Sequence, residues 1–295
     1  MHQDPYQLDK RLVRESFDRA AASYDEVALL QQEVGRRLLE RLDLIKLQPK
    51  RIVDIGAGTG ELSSALGRHY KGCEVITLDL APNMLKQARK RQGIVDRWFG
   101  KQRFICGDAE QLPLADNSID MVFSNFAIQW CSDLDQAFKE FQRVLKPGGL
   151  LLFTTFGPDT LKELRQAWRA VDDTVHVNSF IDMHDIGDAL LRAKLSDPVM
   201  DTERLTLTYQ DGMKVMRDLK AMGAHNVTSG RHHGLTGKQK LKQMLTAYEQ
   251  YRNAEGQLPA SYEVVYGHAW GSNAQPQQQV DDNEVHIPLT QLKRG

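Results

Sequence analysis

Residues 54–60 read Asp54-Ile55-Gly56-Ala57-Gly58-Thr59-Gly60, and no other stretch constrains the fold of this chain as strongly. The loop follows Arg51-Ile52-Val53, which reads as the start of a buried strand, and precedes Glu61 to Tyr70, which reads as a helix. Glycine carries no Cβ, so the spacing G-x-G-x-G lets a backbone turn sharply and approach a ligand closely. The next strand, Glu74 to Leu78, ends in Asp79. The one after it, Phe104-Ile105-Cys106, ends in Gly107-Asp108-Ala109. A glycine loop and two strand-end carboxylates describe one nucleoside pocket at the C-terminal edge of a parallel sheet.

The spacing also says what kind of nucleoside. A dinucleotide fold wants G-x-G-x-x-G and seats a pyrophosphate on the helix N-terminus. Here the third glycine comes one residue early, and Glu61 stands where the motif needs glycine. A carboxylate in the first helical turn repels a pyrophosphate. It suits a ligand with a ribose and a cationic end, such as S-adenosylmethionine. No Gly-Lys-Ser/Thr follows the glycines, so a P-loop is absent.

Strands and helices alternate from Ile52 to Thr155, the signature of a parallel sheet with helices on both faces. Ahead of the sheet, Phe17, Ala20, Ala21 and Tyr24 share one helical face, with a break expected near Ser23-Tyr24-Asp25. Beyond Phe156 the pattern predicts a helix opened by Gly157-Pro158-Asp159, a short helix from Asp182 to Ala193, and a strand at Leu205, Leu207 and Tyr209. Two helical stripes follow, Met216-Leu219-Met222 and Leu241-Met244-Leu245-Tyr248, then a last strand through Tyr262, Val264 and Tyr266. The expected organisation is a helical entrance segment over 1–48, a ligand-binding domain over 49–271 with an insertion at about 211–252, and a polar Gln-rich tail over 272–295.

The chain has 295 residues, 41% of them apolar, and a net charge of −1, so nothing global argues for nucleic acid. No apolar run approaches membrane-spanning length, and the first residues lack the apolar core of a signal peptide. Cys73, Cys106 and Cys131 have no metal-type spacing, and no metal is expected. Cys106 reads as buried in its strand. A reducing cytoplasm fits best.

From Phe17 to Phe156 the chain resembles the class I S-adenosylmethionine-dependent methyltransferases. The resemblance implies a seven-stranded α/β Rossmann-like sheet whose last strand runs antiparallel. It implies that Gly56, Ala57, Gly58 and Gly60 pass under the methionine part of the cofactor. By the same token Asp79, with Leu80 beside it, takes the ribose hydroxyls, and Asp108 with Ala109 faces the adenine. Asp54 and Asn125 fall where the family holds the loop and the methionine amino group.

Further segments are similar to one family in particular, the malonyl-acyl carrier protein O-methyltransferases of biotin synthesis. They are Phe17 to Asp25, Ser124 to Cys131, Phe156 to Arg165, Leu219 to Ala224 with Gly234 to Gly237, and Tyr262 to Gly271. That resemblance implies methyl transfer from S-adenosylmethionine to the free carboxylate of a malonyl thioester, carried by acyl carrier protein or by coenzyme A, in a monomeric enzyme. Tyr24, Gln129, Trp130 and Arg231 are then the acceptor-site candidates, with Arg165 and Arg169 as alternatives for the carboxylate. No general base is assigned, because a carboxylic acid is already ionised at neutral pH. The insertion reads as a lid, and its eight Lys and Arg against three Asp and Glu suit an acidic partner. A small-molecule carboxyl methyltransferase and a non-catalytic assembly factor of the same fold remain the rival readings.

Overall fold

The computed structural model of the chain describes residues 8–92, 101–223 and 237–273. The N-terminal region forms α1 (Lys10–Ala20), the short α2 (Tyr24–Val27) and α3 (Leu29–Arg41). Asp9 starts α1 by accepting from the backbone N–H groups of Arg11 and Leu12, and Val13, Ser16 and Ala20 form its buried face. Alternation then gives β1 (Arg51–Ile55), α4 (Glu61–His69), β2 (Glu74–Asp79), α5 (Pro82–Arg91), β3 (Gln102–Cys106), β4 (Ile119–Asn125), α6 (Leu134–Val144) and β5 (Leu145–Phe156).

The C-terminal part supplies α7 (Lys162–Arg169), α8 (Met183–Arg192), β6 (Ser196–Tyr209), α9 (Gly212–Ala221), α10 (Lys238–Tyr248) and β7 (Leu258–Trp270). The seven strands lie in the order β3-β2-β1-β4-β5-β7-β6. Strands β1 to β5 are parallel, and β7 runs antiparallel to both β5 and β6. Strand order reverses between β1 and β4, and ligands of such sheets sit in the crevice outside the carboxyl ends at that point.

Neighbouring strand residues feed opposite layers. Ile52, Phe123 and Tyr266 join α3, α7 and α10 on one face, while Val53, Val122 and Phe153 meet α6 and α8 on the other. The stripe Ala137, Phe138, Phe141 and Val144 is wholly buried and glues α6 to the sheet. On the opposite face Arg41 grips Asp201 through two 2.7 Å hydrogen bonds, and its guanidinium lies 4.0 Å from the Tyr266 ring centroid. The pair ties α3 to the edge strand β6. Helix α10 is held to α7 by Asp172, which accepts from Lys240 at 2.8 Å and lies 2.8 Å from His176, whose ring stacks on Trp168.

The structure corrects several sequence expectations. Strand β6 begins at Ser196, well before Leu205, and α7 begins only at Lys162, because Leu161 adopts a left-handed φ of +55°. Cys106 is exposed, at the end of the edge strand β3.

Gly267 pairs with Phe153 across β7 and β5, and a Cβ built there would lie 2.3 Å from Phe153 Cζ. Gly267→Ala is therefore expected to lower the unfolding free energy by about 1–3 kcal/mol, the usual range for an overpacked core. Urea denaturation checks this, and an unchanged midpoint would show that the Phe153 ring yields freely.

Candidate active site

The loop after β1 is shaped by what lies on either side of it. Gly56, Gly58 and Gly60 take φ values of +69°, +55° and +76°, which side chains disfavour. A Cβ on Gly56 would stand 2.2 Å from the Ala127 Cβ, so the loop slides under the end of β4 only as glycine. The N–H groups of Gly56 and Ala57 both donate to Leu78 O, at 2.9 and 3.0 Å. Gly58 N–H donates to Asp79 Oδ2 and Ala81 N–H to Asp79 Oδ1, each at 2.8 Å. Asp79 thus fixes the glycine loop and the start of α5 at once.

Asp54 lies one strand over and points into the start of α4, where Ser63 Oγ donates to its Oδ2 at 2.5 Å. Both carboxyls are buried, and burial is the main cause of their altered acidity. Asp54 is pushed up to about 7 and Asp79 to about 6. Asp108 follows β3; its Oδ1 accepts from Glu110 N–H at 3.0 Å and its Oδ2 takes Lys10 Nζ at 2.5 Å. Lys10 also reaches Glu110 at 2.7 Å.

These groups surround an open crevice whose empty space, its solvent-filled opening included, is about 890 Å³. Asp79, Leu80, Asp108 and Ala109 line it together with Phe126, Gln129, Trp130 and Phe156. A smaller space of about 470 Å³ adjoins it and is lined by Asp54, Ala57, Thr59 and Glu61. Tyr24, Gln31, Gly56, Gly58 and Asn125 belong to both.

Helices α1 and α2 close the cavity from above. The Phe17 ring stands edge-on to Trp130 at 5.3 Å and to Tyr24 at 6.5 Å. Asp18 accepts from Asn83 N–H at 2.7 Å, which anchors α1 to the first turn of α5. Thr59 Oγ donates to Asp25 at 2.6 Å, which anchors α2 to the glycine loop. Desolvation raises the Tyr24 phenol well above its ordinary range, with the Asp79 and Asp25 charges adding to the effect, so it stays a neutral hydroxyl.

Nearly all of the residues singled out from sequence converge here. Gly60 lies behind the loop instead, capping α4 against the Ala88 methyl 2.7 Å from its notional Cβ, and lines neither space. Gln129 spends its amide locally, donating to Phe126 O at 2.7 Å and accepting from Thr155 Oγ at 3.2 Å. Asn125 likewise donates to Gln31 O and accepts from Thr154 Oγ. Arg165 donates to Pro158 O and Thr160 O and lines neither space, and nor does the exposed Arg169. Arg231 lies outside the described residues.

Sequence reading missed Lys10, Val13, Gln31, Met84 and Met222, all of which line the larger cavity. Lys10, Val13 and Phe17 recur at helical spacing on α1, the one signal that could have placed them on a common face. Among the described residues no group of three or more His, Cys, Asp or Glu could hold a metal ion.

Residues 53–153 match the family model described as a methyltransferase domain. Over 276 residues the chain is 57% identical to the malonyl-acyl carrier protein O-methyltransferase of Methylovorus sp. strain MP688, covering 93% of each chain. It is 43% identical to malonyl-acyl carrier protein O-methyltransferase 1 of Coxiella burnetii, covering 100% of this chain and 99% of that one. Among solved structures, the YcgJ protein of Bacillus subtilis superposes with a TM-score of 0.56 at 21% identity, over 80% of this chain and 97% of its own. Phosphoethanolamine N-methyltransferase 2 of Haemonchus contortus, solved with S-adenosyl-L-methionine, gives 0.53 at 17% identity, over 86% and 57%.

The buried Asp54 carries a pH signature. A carboxyl whose folded pKa stands above its unfolded 3.8 contributes stability that is whole below 3.8 and lost as pH rises through about 7. Asp54→Asn lacks that loss. Its unfolding free energy relative to the unsubstituted chain is expected to climb by about 1–4 kcal/mol between roughly pH 4 and 8. Ligand-free urea melts across that window check the slope; a flat difference would mean Asp54 ionises as easily folded as unfolded.

Proposed function

Since this chain belongs to the malonyl-acyl carrier protein O-methyltransferase family, we propose that it methylates the free carboxylate of a malonyl thioester, with S-adenosylmethionine as methyl donor. The fold is that of the class I methyltransferases, and the chain is an enzyme of that group. Its methyl ester hides one charge of the malonyl group, so that fatty-acid elongation can treat it as an ordinary primer on the way to the pimeloyl part of biotin.

The observation that carries this reading is a nucleoside-shaped crevice roofed by aromatic rings. The residues present fit the cofactor. The loop offers bare backbone where Cβ atoms would intrude, and a buried amide oxygen on Gln31 has no hydrogen-bond partner. When bound, S-adenosylmethionine supplies an electrophilic methyl on a cationic sulfur. Asp79 and Leu80 hold the ribose, Asp108 and Ala109 the adenine, and Gly56, Ala57, Gly58, Asp54 and Asn125 the methionine part. Gly60 contributes by letting α4 start where it does.

The acceptor end asks little of acid–base chemistry. Its carboxylate arrives ionised, so catalysis is alignment and removal of water. Phe126 stacks on Phe156 at 4.2 Å to form one apolar wall, and Trp130 with Phe17 forms another. Tyr24 offers a neutral hydroxyl at the join of the two spaces. Gln129 acts by bracing the turn after β4, which positions Trp130.

The insertion at about 211–252 serves as a lid and as the landing face for acyl carrier protein. Helix α9 brings Met222 to the cavity. On α10, Lys240 is spent on Asp172, whereas Lys238 and Lys242 have no carboxylate within 4 Å among the described residues. No described helix is long and apolar enough to cross a membrane.

Mass spectrometry of malonyl-acyl carrier protein after incubation with the protein and S-adenosylmethionine tests the function. The expected result is a gain of one methyl that mild ester hydrolysis removes; no gain with cofactor binding intact would overturn the acceptor assignment. The lid face has its own test. Reversing Lys238 and Lys242 together to Glu is expected to cut kcat/KM for the carrier-protein acceptor about tenfold, with malonyl-coenzyme A affected less than about twofold. Equal losses on both acceptors would reduce the patch to a solvated helix face.

A further inference from the structure

Gln31 stands in the first turn of α3, where the two spaces meet, and lines both. Its backbone is fixed from the sheet side. Asn125 Nδ2 donates to Gln31 O at 3.0 Å, and Asn125 Oδ1 in turn accepts from Thr154 Oγ at 2.8 Å. The ends of β4 and β5 therefore set where this side chain sits.

The amide itself is almost unspent. Nε2 donates to Met222 Sδ at 3.4 Å, and a thioether sulfur is a weak acceptor. Oε1 is shut off from solvent and has no hydrogen-bond partner. Exchanging oxygen and nitrogen does not help. The oxygen would then face the electron-rich sulfur, and the NH2 group, with two donors, would be the one left buried and unpaired. A buried acceptor without a donor at the mouth of a ligand cavity is a place where the ligand brings the donor.

The reacting end of the acceptor substrate is not that ligand, since the amide N–H groups of a pantetheine arm lie beyond the thioester sulfur. An ionised malonyl carboxylate and a thioester carbonyl offer only acceptor atoms to Oε1. The amino-acid end of S-adenosylmethionine offers both kinds of group, an ammonium that donates and a carboxylate that accepts. The smaller space is lined by Asp54 and the glycine loop, whereas Asp79, Asp108 and Ala109 line only the larger one. We propose that Gln31 holds the amino-acid end of the cofactor, its Oε1 accepting from the ammonium and its Nε2 free to turn from Met222 toward the carboxylate. The proposal rests on the cofactor reading given above.

Calorimetry on the full chain separates the possibilities with two probes. S-adenosylhomocysteine carries the amino-acid end, and 5′-methylthioadenosine lacks it. Gln31→Leu is expected to weaken S-adenosylhomocysteine about tenfold, the loss of a hydrogen bond to a charged group, and to leave 5′-methylthioadenosine within about twofold. Retained binding of the second probe also certifies that the variant is folded. If Gln31→Leu binds neither probe and has lost its circular dichroism, the near-isosteric Gln31→Met takes its place under the same criteria. Equal weakening of both probes in a folded variant would overturn the proposal, because Gln31 would then act through the shape of the whole site. Unchanged binding of both would overturn it too, and a raised KM for the malonyl acceptor beside it would reassign Gln31 to that substrate. Failure of the unsubstituted chain to bind S-adenosylhomocysteine would remove the cofactor reading itself, and this proposal with it.

Discussion

Everything in this site hangs on the passage of the glycine loop between two strand ends. Gly56 runs so close beneath Ala127 that any side chain would collide, and its N–H with that of Ala57 is fastened to Leu78 O. Gly58 is fastened to Asp79. Three strand ends, β1, β2 and β4, are thereby drawn to one point. A residue larger than glycine at position 56 would part β1 from β4, and the crevice at the reversal of strand order would lose its floor.

On this floor stands a roof made from a different part of the chain. Helices α1 and α2 have modest cores of their own and owe their place to contacts with the sheet domain. Ala21, Ala81 and Met84 form a small apolar cluster against which Phe17 and Tyr24 pack, and Asp18 caps α5. Gly223, at the end of the α9 segment, has its notional Cβ 3.3 Å from Phe17. Entrance helix and insertion thus meet over the cavity, although Phe17 and Gly223 stand more than 200 positions apart in the sequence. The unusual acidity of Asp54 and Asp79 follows from the same enclosure, since a roof that excludes water also makes a charge beneath it costly.

The sheet and the cavity-lining acids were legible because the periodic signals are local. A buried parallel strand reads as an apolar run, and Asp79 and Asp108 announce themselves by following such runs. The first half of β6 did not, because an edge strand with one wet face carries Asp197, Asp201, Glu203 and Arg204, and Pro198 interrupts it. Cys106 was misjudged for the same reason, as β3 is also an edge. Gly60 was assigned to the ligand by its place in a motif, whereas its glycine is demanded by Ala88. Gln31 was invisible for a different reason. A glutamine in an amphipathic helix looks like solvent-facing filler until its oxygen is found buried and alone.

Lys10 gives the roof a charge-sensitive latch. It bridges Asp108 and Glu110, so a carboxylate lining the crevice also pins the first turn of the helix above it. The helix over the crevice is thereby coupled to the crevice through charge, and both ion pairs strengthen when mobile ions are scarce.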